Sequence, residues 1–380
     1  MRDLLVTTHT PALRSGQAMR TYGLARALAT HRELDLLYVR FGAEQPDVAF
    51  RSIPGIRLHT VEPSRGMRRL LSYATAVLHG VPNALARGVS PELTQQATRL
   101  AEDLDPAHAR GRVIADGPVA AAALAGMARR RPVIYNAHNL ESGFRHELEP
   151  HRVRRFFATR TLRSFERRLL RRSSESWMAS EADMVGAREL CPQARLRYVP
   201  NVVDVTAITP VSPLTEEPRA IFVASFRYEP NRNAMRFLLE EIFPRVWQQL
   251  PQARLALVGA GLDQSPSADP RVEAPGFVDD LGAVYATARC AVVPLLQGGG
   301  TPLKLIEALA HGLPVVATSR AAAGLQLQGG EHCLLADDAA SFAAALVQVL
   351  RDGAPEIGRR GRELVQARYS IEALSQLVGE

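Results

Sequence analysis

Gln297-Gly298-Gly299-Gly300-Thr301-Pro302-Leu303-Lys304-Leu305-Ile306-Glu307-Ala308-Leu309-Ala310-His311-Gly312-Leu313-Pro314-Val315-Val316-Ala317-Thr318 reads as a glycine loop, a short helix, a stop and a strand. The glycines carry no Cβ, so their backbone can approach a ligand closely and adopt positive φ. Thr301 is placed to cap the helix and Pro302 suits its first turn. Gly312 suits the position just past the end, and Pro314 bars continuation. Amides at 301–304 and the positive end of the helix dipole would then form an anion pocket. Lys304 sits in that first turn, where the dipole disfavours a cation unless an anion lies beside it.

Lys304 and Glu307 stand at i and i+3 and share a face. Leu303, Leu305, Ile306, Ala308, Leu309 and Ala310 make the rest of the helix apolar, the pattern of a buried helix. A surface ion pair would contribute a few tenths of a kcal/mol. A pair facing a ligand fits better, because lysine and glutamate are rarely buried without partners.

A chain of 380 residues has room for two domains, and 46% hydrophobic residues can fill substantial cores. No apolar run approaches the roughly 18 residues of a membrane span. Met-Arg-Asp leads directly into Leu4-Leu5-Val6, which leaves no room for a signal peptide. Cys191, Cys290 and Cys333 are far apart and form no Cys-x-x-Cys or Cys/His cluster, so neither a disulfide framework nor a zinc site is expected. The expected location is the cytoplasm. The formal charge of +7 is concentrated: residues 145–172 hold ten arginines and three glutamates. Leu162, Phe165 and Leu169 fall on one face of a helix there, with Arg160, Arg163, Arg167 and Arg171 on the other. Arg152–Arg172 is therefore either a solvated face or a peripheral contact to an anionic membrane or acceptor. Nucleic acid fits poorly: aromatic content is 6%, with no helix-turn-helix or zinc-finger spacing.

Short β-rich runs alternate with helical ones throughout, the signature of α/β architecture with parallel sheets. Expected strands are 4–7, 34–39, 56–60, 113–115, 133–135, 176–179 and 196–199 in the first half. In the second half they are 220–224, 254–258, 290–293, 314–317 and 333–336. Expected helices are 17–30, 90–104, 161–172, 232–249, 302–311 and 339–351. Pro210, Pro213 and Pro218 mark 200–218 as a linker. The expected organisation is a Rossmann-like domain over 1–199, a second over 219–360, and C-terminal helices over 361–380 packing back on the first. Loop 294–301 follows strand 290–293, where ligands of open α/β sheets sit.

The stretch 298–318 resembles the nucleotide-sugar site of glycosyltransferase family 4, retaining enzymes of the GT-B fold. Ser15-Gly16-Gln17 resembles the family's N-terminal glycine loop, and Asn136-Ala137-His138-Asn139 its histidine-bearing loop. Val199-Pro200-Asn201-Val202-Val203-Asp204 resembles its hinge segment. Ile221-Phe222-Val223-Ala224-Ser225 and Leu257-Val258-Gly259-Ala260-Gly261 resemble the first strand-turns of its second domain. The resemblance implies two Rossmann-like domains whose parallel sheets face across a cleft, with an acceptor side and a nucleotide-sugar side. It also implies metal-independent transfer of a glycosyl or hexosyl group with retention, with no cofactor beyond a nucleoside-diphosphate sugar.

Carried over residue by residue, the resemblance gives Glu307 to the ribose hydroxyls and Lys304 with residues 301–304 to the diphosphate. Gly298, Gly299, Gly300, Thr301, Pro302 and Leu303 line the donor, as does Gly259. Gly16 and Gln17 close over the phosphates, and His138 approaches the transferring sugar or the acceptor. Arg227 is the nearest cation to a phosphate-binding position, with Arg232 beside it. The chain departs from the family's Glu-x7-Glu pair, since eight residues before Glu307 stands Gly299. The acceptor is open among small natural products, lipid-linked sugars and polysaccharides. A nucleotide-sugar 2-epimerase or phosphorylase of the same fold and a non-catalytic binder remain alternatives. A dinucleotide oxidoreductase fits less well, because Gly259-Ala260-Gly261 is followed by Gln264 and not by a third glycine.

Overall fold

The structure is a computed structural model that describes residues 1–13, 15–86, 88–104, 111–143, 152–211, 215–262, 264–298 and 300–379. The side chains of residues 84, 152–155 and 157 are outside that description. The chain divides into two compact units: Met1–Asn201 with Leu374–Glu380, and Val202–Ala373.

The first unit is a parallel sheet of β1 (Arg2–Val6), β2 (Glu33–Val39), β3 (Ile56–Val61), β4 (Val113–Asp116), β5 (Ile134–Asn136), β6 (Glu175–Met178) and β7 (Leu196–Tyr198). Their spatial order is β3-β2-β1-β4-β5-β6-β7. The strands read as continuous apolar runs because helices cover both faces. Leu4, Leu5, Val6, Leu36, Leu37 and Ile114 are all fully buried, each worth about 1.5–3 kcal/mol of transfer free energy. Ser15 caps the helix Gly16–Ala29 by accepting from the Ala18 amide, and Ser90 caps Pro91–Glu102 with proline in its first turn. Those caps satisfy amides that the helices themselves leave open.

The second unit holds β8 (Arg219–Val223), β9 (Arg254–Val258), β10 (Val272–Gly276), β11 (Cys290–Val293), β12 (Val315–Ala317) and β13 (Leu334–Leu335), all parallel. Their order, β10-β9-β8-β11-β12-β13, reverses direction between β8 and β11. The first sheet reverses between β1 and β4. Each reversal opens a crevice at the carboxyl ends of the strands, where ligands of such sheets bind. Residues 202–211, inside the expected linker, are bonded into this unit: the Val203 amide donates to the Tyr369 carbonyl and the Val211 amide to that of His311.

Several elements went unanticipated, the helix Glu181–Leu190 among them, and others differ in their bounds. Strand β10 contains Pro275, which only an edge strand tolerates, and its register shifts between Glu273 and Gly276. A helix spans Gly66–Leu78. The arginine-rich helix runs Arg152–Arg172 and begins nine residues before the expected start. It buries Leu162, Phe165 and Leu169 as its pattern predicts. Among the described residues, no helix is long and apolar enough to cross a membrane.

Candidate active site

At the carboxyl edge of the first sheet, Asp116 ends β4 beside Asn136, which ends β5 in register with it. The Asp116 side chain is buried and every bond to it is short. Oδ1 accepts from Asn136 Nδ2 at 2.7 Å and from His138 Nε2 at 2.7 Å. Oδ2 accepts from the Thr21 hydroxyl at 2.6 Å. Arg20, one residue along the Gly16–Ala29 helix, donates to Asn136 Oδ1 at 2.7 Å and to Asn201 Oδ1 at 2.9 Å. Burial lowers the Arg20 guanidinium to about 10, still cationic at neutral pH. Burial opposes ionisation of Asp116. The charge and hydrogen bond of His138, with His9 and Thr21, outweigh it and hold the carboxyl well below the ordinary range. Burial lowers His9, whose ring nitrogens lie 3.0 Å from the Thr7 hydroxyl and 3.3 Å from that of Thr21.

Two atoms of this network have no partner among the described residues, Arg20 Nε and His138 Nδ1. His138 is 6% exposed, and its Nδ1 has no hydrogen-bond partner among the described residues. With Nε2 turned to the Asp116 carboxylate, Nδ1 is the ring atom left for another group. Gly117, at φ +87°, protects that space: a Cβ there would stand 3.2 Å from His138 Cε1. A second buried acid, Asp3 at the opposite edge of the sheet, makes the contrast. Arg112 and Arg32 surround it, Arg112 donating through Nη2 at 2.6 Å, and nothing is left open. Gly16 and Gln17 are exposed in the first turn of their helix.

In the second unit the glycine loop follows β11 and the helix runs Leu303–Ala310, one residue later at its start than expected. Thr301 does not cap it. Its hydroxyl donates to the Gly324 carbonyl at 3.3 Å, and Pro302 occupies the cap position without a side-chain bond. The stop is as the sequence suggests: Gly312 takes φ +76°, its amide donates to Leu309 and that of Leu313 to Ala308. Gly298 and Gly300 take φ +117° and +71°, while Gly299 lies outside the described residues. The Gly298 carbonyl accepts from Arg320 Nε at 3.0 Å and Nη2 at 2.9 Å, which fixes the loop. Gly259 lets β9 turn against β8, since a Cβ there would fall 1.9 Å from the Ala224 carbonyl oxygen. Leu303 is buried in the core beneath the helix.

Lys304 and Glu307 do not pair. Lys304 Nζ donates to Asn231 Oδ1 and lies 5.3 Å from the centre of the Phe222 ring. Asn231 in turn donates to the Ser225 carbonyl at 2.7 Å, tying the lysine to the loop after β8. Glu307 has no hydrogen-bond or ion-pair partner among the described residues. Burial lowers Lys304 to about 7 and raises Glu307 to about 7. Two charges one helical turn apart are thus both desolvated and left largely uncompensated, a cost carried where a ligand would relieve it. Arg227 is exposed, and its guanidinium has no partner among the described residues. Arg232 is taken up by Glu229 and by the carbonyls of Phe226 and Arg227, so it serves the loop and offers no free charge.

Sequence reasoning missed Asp116, Arg20, Thr21, His9, Asn231 and Arg320. One signal was present: Asp116 ends an otherwise apolar strand, Val113-Ile114-Ala115, where a charge needs a reason.

Residues 217–352 match the family described as glycosyl transferases group 1. A curated relative, the phosphatidyl-myo-inositol mannosyltransferase of Mycobacterium leprae (strain TN), is 32% identical over 165 residues. That match takes in 40% of this chain and 44% of the relative, under half its length. Among solved structures, the sucrose-phosphate synthase of Thermosynechococcus elongatus superposes with a TM-score of 0.71 at 21% identity, covering 100% of this chain and 97% of that one. Anabaena HepE in complex with UDP and glucose gives 0.72 at 14%, covering 100% and 98%. The fold is GT-B: two parallel-sheet α/β domains of seven and six strands.

Proposed function

We propose that this protein is a retaining glycosyltransferase that takes its sugar from a nucleoside-diphosphate sugar held at the carboxyl edge of the second sheet. One observation carries this: Lys304 and Glu307 share a helix in the family-matched segment, yet each is desolvated and neither compensates the other. A diphosphate beside Lys304 would restore its ammonium, and ribose hydroxyls donating to Glu307 would restore its carboxylate. Anabaena HepE, of the same fold, has been solved with UDP and with UDP-glucose, which makes a glucose donor the first choice. The M. leprae relative is named for mannosyl transfer, so a mannose donor is the second.

The chemical task is to carry negative charge on the departing diphosphate as the glycosidic bond stretches. A preorganised helix N-terminus, Lys304 and the unpaired Arg227 suit that task without a metal. Gly298, Gly300 and the residues Thr301–Leu303 bring backbone close to the donor. In the first unit, His138 Nδ1 is offered to a hydroxyl of the sugar or acceptor, with Asp116 fixing the tautomer and Arg20 fixing Asn136. Gly16 and Gln17 add amides from their helix start.

The test is calorimetric titration with a panel of nucleotides and nucleotide-sugars, repeated on Glu307→Ala. Loss of a charged hydrogen-bond acceptor should weaken the best nucleotide by about 1.5–3 kcal/mol. Unchanged affinity would remove Glu307 from the site. Donor consumption with product anomer analysis then decides retention against inversion.

A further inference from the structure

The helix Gly66–Leu78 turns its apolar side to water. At about 100° per residue, Met67, Leu70, Leu71, Ala74 and Leu78 fall within an arc of about 100°. Met67 is 70% exposed, Leu70 62%, Leu71 61% and Leu78 86%. The opposite side, with Ala76 buried and the Ser72 hydroxyl donating to the Val89 carbonyl at 3.0 Å, holds the helix to the domain. A surface helix ordinarily buries such a stripe, and a contiguous exposed one marks an interaction site. Phe41, 42% exposed, lines a pocket with Arg65 and Arg69 beside the start of the helix.

The charge on the helix has one sign. Arg65, Arg68 and Arg69 stand at the start of the helix, and Gly66–Leu78 contains no acid. Nearby Glu62 is bound to Arg40 at 2.7 Å, with Arg65 at 3.7 Å. Arg68 and Arg69 have no partner among the described residues. Cations at a helix N-terminus oppose the helix dipole, a misfit that an anionic surface relieves.

We propose that this face docks the protein on an anionic lipid surface, the stripe entering the headgroup–acyl boundary while Arg65, Arg68 and Arg69 meet lipid phosphates. A second copy of the chain is a poorer occupant. A twofold contact through this helix would join two faces that both carry these arginines and neither of which has a helix acid to meet them. Among the described residues, the arginine-rich helix Arg152–Arg172 exposes one large apolar side chain, Phe156. Its apolar residues Leu162, Phe165 and Leu169 are buried, and Arg167 and Arg168 donate to the carbonyls of Leu190 and Gly80. Helix Gly66–Leu78 follows β3, at the same carboxyl edge of the sheet as Asp116 and His138. The inference stands on this surface alone and does not need the transferase function.

The test is sedimentation of the full chain with phosphatidylglycerol/phosphatidylcholine vesicles against phosphatidylcholine alone, at low and high salt. Wild type should pellet with the anionic vesicles and be released by salt. Leu70→Gln/Leu71→Gln and Arg68→Glu/Arg69→Glu should each lower the partition coefficient roughly 10–30-fold. Both pairs are exposed, so nucleotide titration and circular dichroism should match wild type, which separates lost docking from lost folding. Absence of wild-type binding, or partitioning unchanged in both variants, would overturn the proposal. So would light scattering that shows a dimer which Leu70→Gln/Leu71→Gln converts to monomer without any vesicle binding.

Discussion

Nucleotide-sugar affinity should be bell-shaped in pH, because Lys304 and Glu307 titrate near neutrality for opposite reasons. In the free protein, burial holds the lysine down to about 7 and the glutamate up to about 7. Bound diphosphate favours the ammonium, so the lysine pKa rises in the complex. Hydroxyls donating to Glu307 favour the carboxylate, so its pKa falls. Affinity that needs the ammonium is full below the free-protein value and declines about tenfold per unit above it. Affinity that needs the carboxylate is full above that value and declines about tenfold per unit below it. About half of the lysines are charged at pH 7 and about one in a hundred at pH 9. The association constant should therefore fall about 50-fold over that span, about 2.3 kcal/mol, with a similar loss towards pH 5. Isothermal titration from pH 5 to 9 reads this directly with a nucleotide-sugar, whose phosphates are both esterified and do not titrate in the range. Lys304→Met should remove the alkaline limb and leave the acid one, and Glu307→Gln should do the reverse. A pH-independent wild-type affinity, or limbs that persist in the variants, would refute the reasoning.

The same two substitutions should stabilise the unliganded protein at pH 7, since each removes a desolvated group without opening a cavity. The calorimetric Tm should rise by a few degrees, and a fall would show that the pair serves the fold. Asp116→Ala should cost about 3–5 kcal/mol in urea titration, because it leaves Arg20 buried without its counter-charge; a variant as stable as the parent would break the network assignment. The depressed Asp116 carboxyl contributes stability that is present above its unfolded value of about 3.9 and is lost as pH falls through and below it. Asp116→Asn should accordingly flatten the acid side of the stability profile.

What the sequence made legible was local. Gly298, Gly300 and Gly312 take the positive φ their positions suggest, and the apolar strands next to them needed only short-range pattern to be found. What it hid was brought together by topology. Thr21 and Asp116 stand 95 residues apart, Arg20 and Asn201 181 apart, and Lys304 and Asn231 73 apart. Spacing i and i+3 put Lys304 and Glu307 on one face, but it could not show that the lysine turns to Asn231 instead. The helix Gly66–Leu78 has a clear apolar stripe in the sequence. Nothing in a periodicity says that the stripe points outward.

The two sheets carry their charges differently, and the difference bears on function. In the first, hydrogen bonds join Asp116, Arg20, Asn136 and Thr21, and among the described residues only Arg20 Nε and His138 Nδ1 of that network stay without a partner. A network of that kind is rigid and presents the His138 ring nitrogen in a fixed direction, as a group that orients a hydroxyl must. In the second, burial holds Lys304 and Glu307 in a costly state that Asn231 relieves only for the lysine and only in part. Desolvation lost on folding is then recoverable on binding, when phosphate and hydroxyl supply the missing partners. The rigid site suits positioning, and the unsatisfied one suits gripping a donor whose charge grows as its glycosidic bond breaks. Replacing Lys304 by a neutral residue would trade that second property for stability, which is why the same variant is expected to melt higher and bind worse.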